Sequence, residues 1–248
     1  MIGADLALAG LINRTNAAFS ANPPRYMTYV EDSHIVGNGQ HRDINRSVAL
    51  RVADDYAVMH DLPQGAERVG EAFPILPYID LFSQFQYCWF ANLKAVDITF
   101  VPGALWYLKM PDPDPSVDLQ VPYFSQWAPR YAPDSTDALV HLIMEPSPRL
   151  RDGNFYPVDV VEDPATQLPS HVAFAFVGRD ETLAFDYGMV QGHWVATKAV
   201  WSATQHVFVS TFKVTATTTF SDFTFPDTAP DPRLATPPSP KPSATCAP

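Results

Sequence analysis

Between Ala4 and Ser20 apolar side chains return every three or four residues. Leu8, Leu11, Ile12, Thr15 and Phe19 fall on one stripe, which predicts an amphipathic helix ended by Asn22-Pro23-Pro24. The period then changes to two. In RYMTYVEDSHIV, Tyr26, Thr28 and Val30 alternate with Met27 and Tyr29, and Gly37-Asn38-Gly39 signals a turn. A second strand runs from about Asn45, with Val48, Leu50 and Val52 set off from Arg46, Ala49 and Arg51. Asp54-Asp55 turns it into a third, YAVMH.

Residues 62–83 break the pattern. Prolines at 63, 74 and 77 exclude a central strand, so a long loop is expected, with a short helical turn near Asp80–Gln84. Strands follow at Ala95–Val101 and Leu105–Leu108, then a polyproline-like connector at 111–118. The aromatic, proline-rich run 121–133 reads as a packed loop. A meander closes the pattern: LVHLIME (139–145), FYPVDVVED (155–163), HVAFAFV (171–177), ETLAFDY (181–187), and two long strands within His193–Pro226. The expected fold is therefore α+β and mostly antiparallel β. A domain over residues 1–228 is expected to precede a disordered proline-rich tail at 229–248.

The long strands look apolar on both sides. Val172, Phe174 and Phe176 oppose His171, Ala173 and Ala175; Phe208, Phe212 and Val214 oppose Val207, Val209 and Thr211; Trp194 and Val200 oppose Val195 and Trp201. Such a sheet needs both surfaces covered. The helix and the proline-rich loops cover one, and the other closes on itself, on a partner or on a ligand. Pattern alone leaves a self-filled core and a ligand cavity equally open. The aromatic stripe Phe174, Phe176, Phe185, Phe208 and Phe212 is the candidate lining.

Composition narrows the partners. The 248 residues carry a formal net charge of −11, which opposes nucleic acid and anionic membrane surfaces. An apolar fraction of 46% supports a real core. No run approaches the roughly 20 apolar residues of a membrane span, and no signal peptide is visible. Two cysteines, Cys88 and Cys246, make no disulfide framework. The seven histidines form no ligand motif, although His171, His193 and His206 fall on or beside neighbouring strands. There is no nucleophile elbow, phosphate loop or dinucleotide fingerprint, so no metal, cofactor or catalytic residue is expected.

The order of elements resembles the lipoprotein-carrier (LolA-like) family of periplasmic outer-membrane lipoprotein-sorting proteins. The residues that carry the resemblance are AAFSANPPRYMTYVE after the helix, DPATQLPSH (163–171), FDYGMVQGHWVATKA (185–199) and the closing Asp-Phe-Thr-Phe-Pro at 222–226. It spans roughly residues 4–228 and implies an incomplete (half) barrel of about ten strands. A helix and a short helical lid would cover its apolar concavity. It further implies non-catalytic binding of a lipid or an acylated protein, a periplasmic or other extracytoplasmic location, an envelope protein as a second partner class, and a monomer. The family's Arg-Pro pair in an early strand is replaced here by RSVALRVADDY, so no lid role passes to Arg46 or Arg51. The alternative from the residues is a structural or interaction β protein with a self-filled core.

Overall fold

The computed structural model describes residues 3–37, 39–62, 65–71, 97–99, 107–109, 127–146, 155–176, 178–207 and 210–236. In chain order these form α1 (Ala4–Ala21), β1 (Tyr26–Gly37), β2 (Gln40–Arg51), β3 (Tyr56–Leu62), β4 (Glu67–Glu71), β5 (Asp97–Thr99) and β6 (Tyr107–Lys109). Then come β7 (Trp127–Tyr131), β8 (His141–Pro146), β9 (Phe155–Glu162), β10 (Pro169–Phe176), β11 (Glu181–Val190), β12 (His193–Val207) and β13 (Ser210–Thr224). A 3₁₀ turn at Pro232–Ala235 follows. Eleven strands hydrogen-bond in the linear order β4-β3-β2-β1-β13-β12-β11-β10-β9-β8-β7, and β5 pairs with β6 apart from them. The expected mostly antiparallel sheet with a leading helix is thus the observed architecture.

Pro129 lies in β7, opposite Met144, so part of the expected packed loop is a strand. An edge strand tolerates the missing N–H. Glu67–Glu71, within the proline-punctuated stretch, is likewise an edge strand rather than loop. The expected helical turn at Asp80–Gln84, the connector at 111–118, Cys88 and Cys246 lie outside the described residues.

The chain divides into two compact units. The first contains the described parts of Met1–Ser20 and Asp80–Asp186. Here the predicted helix stripe is the buried one: Leu8, Leu11, Ile12, Thr15 and Phe19 are all excluded from solvent. Thr15 satisfies its hydroxyl by donating to the Leu11 carbonyl one turn back (2.8 Å). Val172 pairs with Phe185 and with Val160, and Leu142 pairs with Val160, so these residues share one face with Phe174 and Phe176. All of them are buried. Arg14 fastens α1 to the β9–β10 turn, donating to the Glu162 carboxylate (2.5 Å) and to the Gln167 carbonyl (2.9 Å).

The second unit contains the described parts of Ala21–Ile79 and Tyr187–Ser243. Gln191 and Gly192, both at positive φ, make the tight turn from β11 into β12. One face of this unit is apolar: Met27 and Tyr29 from β1, Val48 and Leu50 from β2, Ala57 and Met59 from β3, and Ala199, Trp201 and Ala203 from β12. The other face of β13 carries Lys213, Thr215, Thr217, Thr219 and Ser221, and that of β1 carries Asp32 and His34. The apparent two-sided apolar pattern therefore fails along β13. Its threonines are β-branched and suit a strand, but their hydroxyls tolerate water. It holds at the start of β12, where Trp194, Val195 and Ala196 are buried on both sides.

The closing Phe-Ser-Asp-Phe works through a bulge. Thr28 pairs with Thr224 but Val30 pairs with Ser221, so β13 carries one surplus residue, and Asp222 takes a left-handed φ of 53°. The extra residue resets the alternation, and Phe220 and Phe223 both reach Tyr29, with ring centroids 5.8 and 6.1 Å away. Beyond β13, within the stretch expected as tail, Pro232–Ala235 is ordered. Leu234 is fully buried against Tyr26 and Val58, and its carbonyl accepts from Arg51 (2.9 Å). Residues 237–248 lie outside the described residues.

Two stability measurements follow. Asp222→Gly should leave the urea midpoint nearly unchanged, whereas Asp222→Val should cost about 1–2 kcal/mol, because a β-branched residue resists left-handed backbone. Leu234→Ala should cost about 2–5 kcal/mol as a buried truncation. Wild-type stability in that variant would show that the 3₁₀ turn does not hold the β1–β3 strands.

Candidate functional site

Along the apolar face of the second unit, position parity places Tyr29, Glu31, Ser33 and Ile35 of β1 in one row. Beside it run Ile44, Arg46 and Val48 of β2, then Met59 and Asp61 of β3, and on the other side Val214, Ala216, Thr218 and Phe220 of β13. The row is apolar at both ends and polar in the middle. Arg46 holds Glu31 with two bonds, Nε to Oε2 at 2.8 Å and a terminal nitrogen to Oε1 at 2.6 Å. Ser33 Oγ donates to Glu31 Oε1 (3.1 Å) and shares a hydrogen bond with Thr218 Oγ1 (2.8 Å). Glu31, Ser33, Arg46 and Thr218 are all buried.

The electrostatics of this island are those of a desolvated pair. Burial works against the Arg46 charge, but the bonds to Glu31 outweigh it and raise the guanidinium above its ordinary value. Burial, then the Glu31 charge, pushes the Tyr29 phenol far above its ordinary range. Neither side chain changes protonation at any physiological pH. The sequence signal for the island is a Glu and an Arg standing in phase with the apolar positions of two paired strands; the alternation read from the sequence sets Arg46 against Val48 and Leu50, and the register corrects it to their side.

Beyond the island the apolar row opens. Ile35, Ile44, Val214 and Phe212 are half-buried, in contrast to the closed cluster around Tyr29. Ile44 pairs with Ser33, Ile35 with Ala216, and Gly37 with Val214. A Cβ at Gly37 would meet Val214 Cγ2 at 3.0 Å, so glycine lets β1 and the valine side chain approach.

Of the aromatic stripe read from the sequence, Phe174, Phe176 and Phe185 come together on one face of the first unit and are 0–3% exposed. Phe212 lies half-buried on the second unit. Phe208 lies outside the described residues.

The histidines do other work. His141 bridges two elements, with Nδ1 2.6 Å from Asp134 of the β7–β8 turn and Nε2 3.0 Å from Asp159 of β9. His171 lies 2.6 Å from Asp186, and His193 packs on Phe225 with ring centroids 4.2 Å apart. Burial lowers the His193 pKa. Among the described residues no three metal-ligating side chains gather.

Burial alone would push His141 down, but its bonds to Asp159 and Asp134 outweigh that and raise it. A raised folded pKa adds stability that is complete below the unfolded value of about 6.5 and fades as pH rises through the folded value. The urea midpoint of the wild type should therefore fall relative to His141→Gln between pH 6 and pH 9. Parallel curves for the two proteins would remove the doubly bonded imidazolium.

No family model matches the chain, and no curated protein does. Among solved structures, the chain is similar to a LolA superfamily protein from Nitrosomonas europaea, at 11% identity and a TM-score of 0.42, covering 96% of this chain and 99% of that one. A DUF1329 family protein from Desulfovibrio piger matches at 8% identity and a TM-score of 0.45, over 88% of this chain and 93% of that one. An outer membrane lipoprotein-sorting protein domain from Vibrio parahaemolyticus matches at 10% identity and a TM-score of 0.46, over 88% and 92%.

Proposed function

We propose that this protein is a non-catalytic binder of an apolar ligand, the acyl chain of a lipid or of an acylated protein. One observation carries the reading. Ile35, Ile44, Val214 and Phe212 stay half-open on the apolar side of the second unit, while the same strands carry Asp32, His34, Thr215, Thr217 and Thr219 on the opposite side. Each methylene laid on such a surface contributes about 0.8 kcal/mol, so a chain of about ten carbons binds usefully after ordering costs.

In this reading the sheet works as an incomplete barrel, with α1 and a short helical lid as its cover. Phe174, Phe176 and Phe185 are the candidate lining in the first unit, and Phe212 is that of the second. Because the first three are closed off, a ligand reaches them only when the cover yields, and Arg14 on Glu162 is the tie that resists. Burial raises the Glu162 pKa even with Arg14 beside it, so that tie is made in a partly dry setting. The sequence resemblance argues for work in the periplasm or another extracytoplasmic space, as a monomer, on a lipid or an acylated protein, with an envelope protein as a further partner. The complete burial of Phe174, Phe176 and Phe185 favours a second reading for the first unit, a self-filled core that only supports the fold.

Solvent extraction of the purified chain should release bound lipid, and a neutral dodecyl-chain probe should bind. Ile35→Asp and Phe212→Asp should each weaken that probe by about tenfold or more. A folded protein that carries no lipid and takes up no probe would leave the self-filled core standing.

A further inference from the structure

We infer that the buried island chooses the head group of the ligand, admitting acyl chains with an uncharged head and turning away free carboxylates. This rests on the reading of the half-open apolar row as the ligand site. The island lies at the end of that row: Ser33 pairs directly with Ile44 and stands two residues from Ile35 on the same side. Cross-strand partners are roughly 5 Å apart, so the polar end of a chain lying on Ile35 and Ile44 meets the island first.

Part of the island's donor capacity is already committed to Glu31. Arg46 turns Nε and one terminal nitrogen onto Glu31, and Ser33 donates to the same carboxylate. Asp61 stands opposite Arg46 in the register and acts on it electrostatically. One cation against two carboxylates leaves a formal charge of −1. An arriving carboxylate adds a like charge where low polarizability magnifies repulsion, and it finds carboxylate and hydroxyl oxygens in place of free cations. A hydroxyl or ester-linked glycerol head has the opposite fortune, since it donates to those oxygens.

The test compares two ligands with one chain length, 1-dodecanoylglycerol and dodecanoate, at pH 8, where the acid is ionised. Each displaces Nile red from the full chain. The glyceride should bind about tenfold tighter or more. Glu31→Gln brings the formal charge to zero and frees Arg46 toward the ligand, so the preference should vanish or reverse. Should Glu31→Gln not fold, Asp61→Asn decides, because it removes the excess charge and leaves the Glu31–Arg46 pair whole; it should narrow the preference severalfold. Equal binding of the two ligands to the wild type overturns the inference while the acyl-binding reading survives. So does a preference that Asp61→Asn leaves untouched. Binding of neither ligand overturns both.

Discussion

Side chains on a strand alternate strictly between two sides, and in the second unit one surplus residue decides how that alternation ends. Asp222 in left-handed backbone absorbs it. Without the bulge Phe220 and Phe223 would face opposite ways; with it both rings close on Tyr29. The apolar cluster of Met27, Tyr29, Val48 and Leu50 is thereby sealed at one end, and the row running from it is left to end differently at Ile35 and Ile44. The face therefore has one closed end, around Tyr29, and one half-open end, at Ile35 and Ile44.

Between the two ends stands a charge pair in a place where charge is expensive. Desolvating Glu31 and Arg46 costs several kcal/mol per ion, repaid only by good geometry and by partners for the remaining lone pairs. Both conditions are met, through the double contact of the guanidinium and the hydroxyls of Ser33 and Thr218. An apolar replacement of similar volume would serve stability as well or better. Stability alone therefore does not account for the island, and under the proposed function its use is specificity.

Much of the fold was legible in the residues because two periods are hard to mistake. The stripe Leu8, Leu11, Ile12, Thr15 and Phe19 became the buried stripe of α1, and the meander from LVHLIME onward became β8 to β13. Pattern reading stumbled where a residue type has two meanings. Proline spoke against strands at 121–133, yet an edge strand accepts Pro129. Threonine counted as apolar in β13, yet Thr211 and Thr219 face water. Leu234, a lone leucine in a proline-rich run, carried no periodic signal, and it fills a site built by Tyr26 and Val58 far away in the chain.

By itself, then, the sequence determined the leading helix, the antiparallel meander and the face of β10 and β11 that carries Val172, Phe174, Phe176 and Phe185, because all of these follow from spacing between near neighbours. Only the tertiary structure decided that Glu31 and Arg46 lock together, that His141 joins Asp134 to Asp159, and that Ile35 and Ile44 stay half-open. Those outcomes depend on strand register, and register sets which distant side chains become opposites across a ladder.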